Sequence, residues 1–502
     1  MTTSALPTVV PEQRIGSSVI HLPKERRLTM WALVCLAFFT TCGGAYGLEP
    51  LVGAVGPGWA VVLIVVTPLV WSLPMALMVA ELATLIPEEG GYYVWVRETL
   101  GPFWAVQEAW WTIGYSIALL AIFPVLFVSY LTFFVPALGS NAGAQFNGMM
   151  VVRWFVTVVF ILCAMTVNLK GAREVGRSAK ISALFVLGAF ATMILLWLKR
   201  GPGPGTAMDI VVRDLGVSHK GALLLGLSII VYNYSGWDNV STYAAEVDEP
   251  KRNYPRAIAA ALVIALLSYL LPAIAGLAIT TNPEIWTTES GWPVIAQIIS
   301  GRWLGSLIAA GGLVSMWGLF NAQLLYVSRL PFVMAWDGWL PGRFRNATSE
   351  TAVPKLVIVC LCGITALFTA LSYGGLAVIQ CILYAAALTL EFLALIKLRL
   401  RHWENTGSFQ IPGGWIGMAY VCVAPCVFAA VVLYATLRDW RSFIGQLLVV
   451  AGIIASGLLL YLLRRERTKE ALRSAVGVLE LAGEAENNSP AATALRRDTF
   501  LE

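Results

Sequence analysis

Residues 40–50 read TTCGGAYGLEP, directly after the apolar run MWALVCLAFF (30–39) and shortly before a hydrophobic block that starts at Trp59. Two threonines, three glycines, a glutamate and a proline in the middle of an apolar segment mark an interrupted helix. Hydrocarbon supplies no hydrogen bonds to a loosened backbone, so inside a bilayer such a break must be sheltered by other protein.

The surrounding composition says that the solvent is a bilayer. The 502 residues are 58% hydrophobic and 13% charged, with a mean hydropathy of +0.74. A soluble domain carries roughly 25% charged residues, too many for this chain to match. Apolar runs near the ~20 residues needed to cross hydrocarbon recur along nearly the whole chain. About twelve spans are expected, near 30–56, 59–86, 101–135, 149–169, 179–199, 222–246, 256–280, 303–332, 354–373, 375–398, 415–437 and 442–463. The fold class is therefore all-α and polytopic.

Lys24, Arg26, Arg27, Arg97, Lys170, Arg173, Arg177, Lys180, Lys251, Arg252, Arg256, Arg329, Arg343, Arg345, Lys397, Arg399, Arg401, Arg464, Arg465 and Arg467 fall on one side of this topology. The opposite loops hold fewer, and the excess marks the cytoplasmic face, with both termini on it. The expected home is the cytoplasmic (plasma or inner) membrane. The N-terminal tail (1–27) lacks the apolar core and cleavage site of a signal peptide. Beyond Leu463 a soluble tail (464–502) follows, with Leu472, Val476 and Leu479 on one helical face and a disordered end after Glu484.

Enzyme signatures are missing. His21, His219 and His402 are scattered through tail and loops, and GPGPG (201–205) has no P-loop lysine after it. None of the eight cysteines makes a C-x-x-C pair, so they read as packing residues and not as metal ligands or disulfides. No cofactor, metal or nucleic-acid partner is expected. The net charge of +5 comes from the basic loops.

A second interruption lies in the sixth span, YNYSGWDNVSTYAAEVDEP (232–250), with Asn233, Ser235, Gly236 and Asp238 near its middle. An acidic residue at that depth costs roughly 2.5–3.5 kcal/mol on insertion scales, so it faces a cavity or a partner. Spans one and six are five apart, the spacing of two inverted repeats that each open with a discontinuous helix. An unwound turn exposes amides on one half-helix and carbonyls on the other, suited to a carboxylate and an ammonium. Gly43 and Gly47 also fit the small-xxx-small pattern of helix packing. Packing alone does not require Thr40, Thr41, Glu49 or Pro50.

At these residues the chain resembles the amino acid–polyamine–organocation superfamily, most closely the L-type amino acid and plant polyamine uptake transporters. The resemblance runs from about Leu28 to Leu400. It is carried by GGAYGLEPLVGAVGP (43–57), WSLPMALMVAELATLIPEEGGYYVWVRETLGPFWAVQEAWW (71–111), YSGWDNVSTYAAEVDEPKRNYPRAI (234–258) and NAQLLYVSRLPFVMAWDGWLP (321–341). It implies a LeuT-type fold with a core at 28–400, made of repeats at about 28–200 and 221–400, and two further helices within 401–463. It also implies that Thr41, Gly43, Gly44 and Gly47 line the carboxylate side of a substrate pocket. Tyr232, Asn233, Tyr234, Ser235 and Gly236 would form the opposite turn, Trp237 a gate, and Tyr115 and Ser116 a third wall. Plant polyamine carriers have an aspartate five residues before a proline on span three; counting back from Pro124 gives Leu119 here. A second acid expected before Tyr130 is Ser129, and span five lacks the central lysine of many L-type relatives.

Asp238, Glu49 and Glu108 are the candidates for coupling or amine binding, since a buried carboxylate can carry a proton. Glu49 stays open between proton carrier, amine ligand and helix cap. Glu81 is expected to pair with an arginine, Glu246 and Asp248 with Lys251 and Arg252, and Glu391 with Lys397 or Arg399. The expected function is import of amino acids or related amines by alternating access, coupled to protons, with polyamine uptake as the second reading. A non-transporting sensor or a channel is the alternative of another class. Oligomeric state is not legible.

Overall fold

The computed structural model describes residues 27–139, 148–201, 222–288, 290–348, 351–369, 373–400, 409–438 and 444–487. The N-terminal tail, the GPGPG loop, all three histidines and the segment after Asn487 lie outside the described residues.

The architecture is helical, and among the described residues only two isolated backbone bridges interrupt that character. The first span is split into α1 (Met30–Thr41) and the start of α2 (Glu49–Thr67). α2 turns sharply at Gly56, where φ is +80° and ψ 167°, so its remainder already belongs to the second span. A π-helical turn at Pro68–Ser72, begun by a proline with no N–H to give, leads into α3 (Leu73–Leu85). The short α4 (Tyr92–Leu100) and the long α5 (Pro102–Leu131) follow, then α6 (Gly148–Asn168) and α7 (Ala172–Arg200).

The sixth span begins as α8 (Ala222–Asn233) and stops. After the expected interruption, two 3-10 turns, Asn239–Thr242 and Ala244–Glu246, take the place of a second half-helix reaching to 246. Asn, Ser and Thr side chains compete for backbone partners there, which favours short turns over a regular helix. Next come α9 (Pro250–Leu277), α10 (Gly291–Ser300), α11 (Arg302–Val327), α12 (Arg329–Trp336), α13 (Lys355–Phe368), α14 (Tyr373–Leu400), α15 (Gly414–Arg438) and α16 (Ile444–Asn487). α16 carries the last span straight into the tail, where a separate short helix was expected.

Eight of the described helical segments are long and apolar enough to cross a membrane, and four shorter apolar helices accompany them. The burial pattern fits lipid. Leu184, Leu367 and Ile416 are 78%, 70% and 84% exposed, while Glu49, Glu108, Asp238 and Glu391 are buried. Water would penalise that exposed apolar surface; hydrocarbon does not. The chain is a polytopic membrane protein, and its discontinuous spans are the first and the sixth.

α5 packs against α14 and α11, and α11 against α7. α1 packs on α9 and α7. The two breaks thereby face α5, α11 and α14 near the middle of the bundle.

Candidate functional site

The first break is a run of positive backbone angles. Gly43, Gly44 and Gly47 have φ of +66°, +96° and +88°, a region that only glycine enters without strain. A Cβ on Gly44 would come within 2.7 Å of Val186 Cγ1, so glycine is needed there for space as well. The amides of Cys42 and Gly43 both turn back to the Phe38 carbonyl, at 2.8 and 3.1 Å. Neighbouring side chains satisfy the carbonyls the break releases. Gln323 Nε2 donates to Thr40, Ser315 Oγ to Gly43 and Trp292 Nε1 to Ala45, at 3.0, 2.6 and 2.8 Å. Among the described residues no acceptor meets the amides of Ala45 and Tyr46.

The second break is built around Gly236, with φ of +104°. A Cβ there would lie 2.7 Å from the Thr40 carbonyl oxygen, so the two breaks touch. The Gly236 amide donates to the Tyr384 hydroxyl (2.9 Å), which in turn donates to Asp238 Oδ1 (2.5 Å). The Tyr92 and Tyr115 hydroxyls, from α4 and α5, both donate to Asn239 Oδ1 at 3.2 Å. Tyr269 caps the freed Asn233 carbonyl at 2.7 Å.

Between the breaks lies a cavity of about 580 Å³ of atom-free space, mouth included. Thr40, Thr41, Cys42, Tyr46 and Gly47 line it from one break, and Tyr232, Asn233, Ser235, Gly236 and Asn239 from the other. α5 adds Tyr115, Leu119, Phe123 and Leu126; α11 adds Met316, Leu319 and Gln323; α14 adds Gln380 and Tyr384. No lining side chain is charged. The Thr40 and Thr41 hydroxyls donate to Leu36 and Ala37, which leaves their oxygens as acceptors. The buried amide oxygens of Gln323 and Gln380 have no partner.

Of the predicted set, Thr41, Gly47, Tyr115, Tyr232, Asn233, Ser235 and Gly236 share this cavity. Gly43, Gly44, Tyr234, Trp237 and Ser116 do not reach its lining. Tyr234 is turned away to the Ile64 carbonyl, Ser116 is bonded to Tyr326, and Trp237 is fully buried beside the turn. Gln323, Gln380, Tyr384 and Asn239 line the cavity without having been singled out. For Gln323 and Gln380 the available signal was a glutamine inside an apolar span; Tyr384 and Asn239 carried none.

The three acidic candidates flank the cavity instead of lining it. Glu49 accepts from the Gly47 amide, the Tyr130 hydroxyl and the Trp292 amide at 2.9, 3.2 and 3.4 Å, the geometry of a cap. Asp238 holds Tyr384, and Glu108 Oε1 accepts from Thr112 at 3.1 Å. Glu81 meets an arginine as expected, while the pairings of Glu391 and Glu246 differ from expectation. Arg399 forms a two-pronged pair with Glu81 at 2.5 Å on both oxygens, so Glu391 is left with neither Arg399 nor Lys397. Glu246 binds Arg329, at 2.8 and 2.6 Å, and Arg252 reaches Glu249. The reason is geometric: the 3-10 turns carry Glu246 toward α12 and away from the basic start of α9.

A cluster of ion pairs ties α4, α12 and the turns after the second break together. Arg329, 1% exposed, holds Glu246 and stands 3.4 Å from Glu89 Oε1, without the alignment of a hydrogen bond to the latter. Arg97 and Tyr93 both bind Asp337, at 2.7 and 2.6 Å. Leu28 pairs with Val247 and Glu89 with Tyr243 as backbone bridges.

The sequence profile of the amino acid permease family matches residues 28–455. The chain belongs to that family. The permease is 31% identical over 453 residues to a probable polyamine transporter of Arabidopsis thaliana, covering 90% of this chain and 88% of the relative. It is 32% identical over 438 residues to a polyamine transporter of Oryza sativa subsp. japonica, covering 87% and 78%. A methylthioribose transporter of Bacillus subtilis is 28% identical over 440 residues, covering 84% and 90%. The permease is thus a membrane transporter for small molecules.

Proposed function

We propose that the permease imports amino acids or related organic amines across the cytoplasmic membrane by alternating access, driven by protons, with both termini in the cytoplasm. The observation that carries this reading is the meeting of two helix breaks at one neutral cavity rich in unoccupied acceptors. Gln323 and Gln380 leave buried oxygens without a donor, and a buried unmet acceptor is costly unless a ligand supplies the hydrogen. An ammonium supplies three. Thr41, Gly47, Tyr115, Tyr232, Asn233, Ser235 and Gly236 are assigned to the wall around it. Gly43 and Gly44 act through the backbone path they permit. Asp238 and Glu108 are assigned to coupling or amine attraction, Glu49 to capping. The helices of spans 1, 2, 6 and 7 would rock against the others around the cavity, with the Arg329 cluster as the cytoplasmic closure.

The names of the Arabidopsis and rice relatives favour polyamines within the amine class. Leu119 in the cavity wall favours uncharged side chains at that point, as an amino acid such as leucine presents. Proteoliposome uptake with labelled leucine, putrescine and spermidine, with and without an imposed pH gradient, tests both. Saturable uptake stimulated by an inward proton gradient is expected. Binding without uptake would mean a sensor, unsaturable flux a channel, and indifference to the gradient would remove proton coupling.

A further inference from the structure

We propose that a second, apolar cavity beside the first receives the uncharged end of the cargo, and that Cys381 and Ala385 of α14 set how long that end can be. This rests on the reading that the permease carries amino acids or related amines, and it adds the part of the site that selects among them.

The second cavity holds about 400 Å³ of atom-free space, mouth included, among the π-helical turn, α8, α14 and α15. Small-molecule pockets run from roughly 300 to 1,000 Å³. Ser235, Gln380 and Tyr384 line both cavities, so the two share a wall. Two ring contacts make Tyr384 the septum. Its ring centroid is 5.3 Å from that of Tyr115 in the first cavity and 6.5 Å from that of Trp71 in the second. The remaining wall of the second cavity is Trp71 with aliphatic or small side chains, among them Val231, Cys381, Ala385 and Leu433.

The helical repeat of α14 makes this division. Gln380 and Tyr384, four residues apart, form the stripe that both cavities share. Cys381 and Ala385, one step further round the helix, border the second cavity alone. Both are small, as is Ala429 on α15, and the side-chain volume withheld there is what leaves the space.

The shared wall is not equally tied. Tyr384 is held by the Gly236 amide and Asp238, and the Ser235 hydroxyl donates to the Val231 carbonyl at 2.6 Å. The Gln380 amide oxygen meets no donor. A long side chain with its acceptor unmet moves at the least cost, which makes Gln380 the passage between the cavities. The polar end of the cargo stays among the acceptors of the first cavity, because the second offers a charged group mainly desolvation. A narrow passage into an apolar space suits an unbranched aliphatic tail, which is stabilised by leaving water.

The test uses the purified full-length permease with straight-chain α-amino acids of increasing length: alanine, norvaline, norleucine and 2-aminooctanoate. Putrescine serves as a cargo without an apolar end. Equilibrium binding should tighten about fourfold for each methylene that enters the second cavity. Affinity that is flat or falls beyond norvaline overturns the proposal, and this comparison needs no variant. Ala385→Phe fills the second cavity and should lower the ratio of 2-aminooctanoate to alanine affinity at least about tenfold. An unchanged ratio overturns the proposal as well. With Cys381 kept as the sole cysteine, N-ethylmaleimide labelling followed by intact mass should be slowed by 2-aminooctanoate and not by alanine. Labelling that ignores the longer acid places it elsewhere and overturns the proposal, even if Ala385→Phe fails to fold. Binding of alanine or putrescine with no gain for longer chains removes the second cavity and leaves the proposed function standing. Failure to bind any of the five compounds overturns both.

Discussion

Single atoms decide whether the cavity exists. Gly236 is held at a positive φ with the Thr40 carbonyl where a methyl group would go. Gly236→Ala should therefore cost on the order of 1–3 kcal/mol in strain and push the two breaks apart. Reconstituted uptake should fall at least about tenfold, as each 1.4 kcal/mol lost from binding is a factor of ten. Unaltered uptake with unaltered thermal stability would show that the breaks need not touch. Tyr384 is the second such residue, since its hydroxyl joins the Gly236 amide to Asp238. Tyr384→Phe leaves an amide and a carboxylate unmet, worth about 1–3 kcal/mol, and a thermal melt in detergent should register the loss. The sequence pointed at Gly236 and Asp238 but was silent on Tyr384, because a tyrosine in an apolar span looks like ordinary packing until its hydroxyl is seen between two breaks.

At the scale of elements, the closure between the second break, α12 and the α3–α4 connection is the part that must open. Arg329 is buried between Glu246 and Glu89, and removing one partner of a buried pair costs about 3–5 kcal/mol. Arg329→Ala should shift the permease toward a state open on that side. Cys42, which lines the cavity, is a native reporter once the remaining cysteines are replaced. Its modification by an impermeant thiol reagent should speed up in inside-out vesicles of the variant, and equal rates would count against the closure. Burial, aided by the Glu246 charge and opposed by Arg329, pushes the Glu89 carboxyl well above the ordinary carboxylate range. The closed state thus binds a proton that an open, hydrated Glu89 releases. Its contribution to closure is fully present below the ordinary carboxylate pKa and is lost as pH rises through the raised value. The difference in Cys42 labelling between the unmodified permease and Glu89→Gln should therefore widen as pH rises, with the variant staying closed. None of this was legible in sequence, where Glu246 seemed paired with its near neighbours Lys251 and Arg252.

For the whole molecule, the loop charges predict that a fluorescent protein fused after Glu502 faces the cytoplasm, and protection from external protease in intact cells checks it; digestion from outside would reverse the topology. The family, the apolar spans and the two interruptions five spans apart were readable along the chain, because hydropathy, glycine and proline act locally and their spacing survives in one dimension. Which side chains meet was not readable. Trp237 and Tyr234 follow the break in sequence yet turn into the bundle, while Gln323, Gln380 and Tyr384, distant in sequence, reach the cavity from α11 and α14. Glu391 lost its expected partner for the same reason: Arg399 found Glu81 from α3 first. The sequence by itself determined a bilayer-spanning helical permease and where its helices must break, since those follow from local polarity and backbone freedom. Only the tertiary structure decided that the two breaks meet at a neutral cavity while Glu49, Asp238 and Glu108 stay buried outside its lining, because charge compensation depends on which helices pack together.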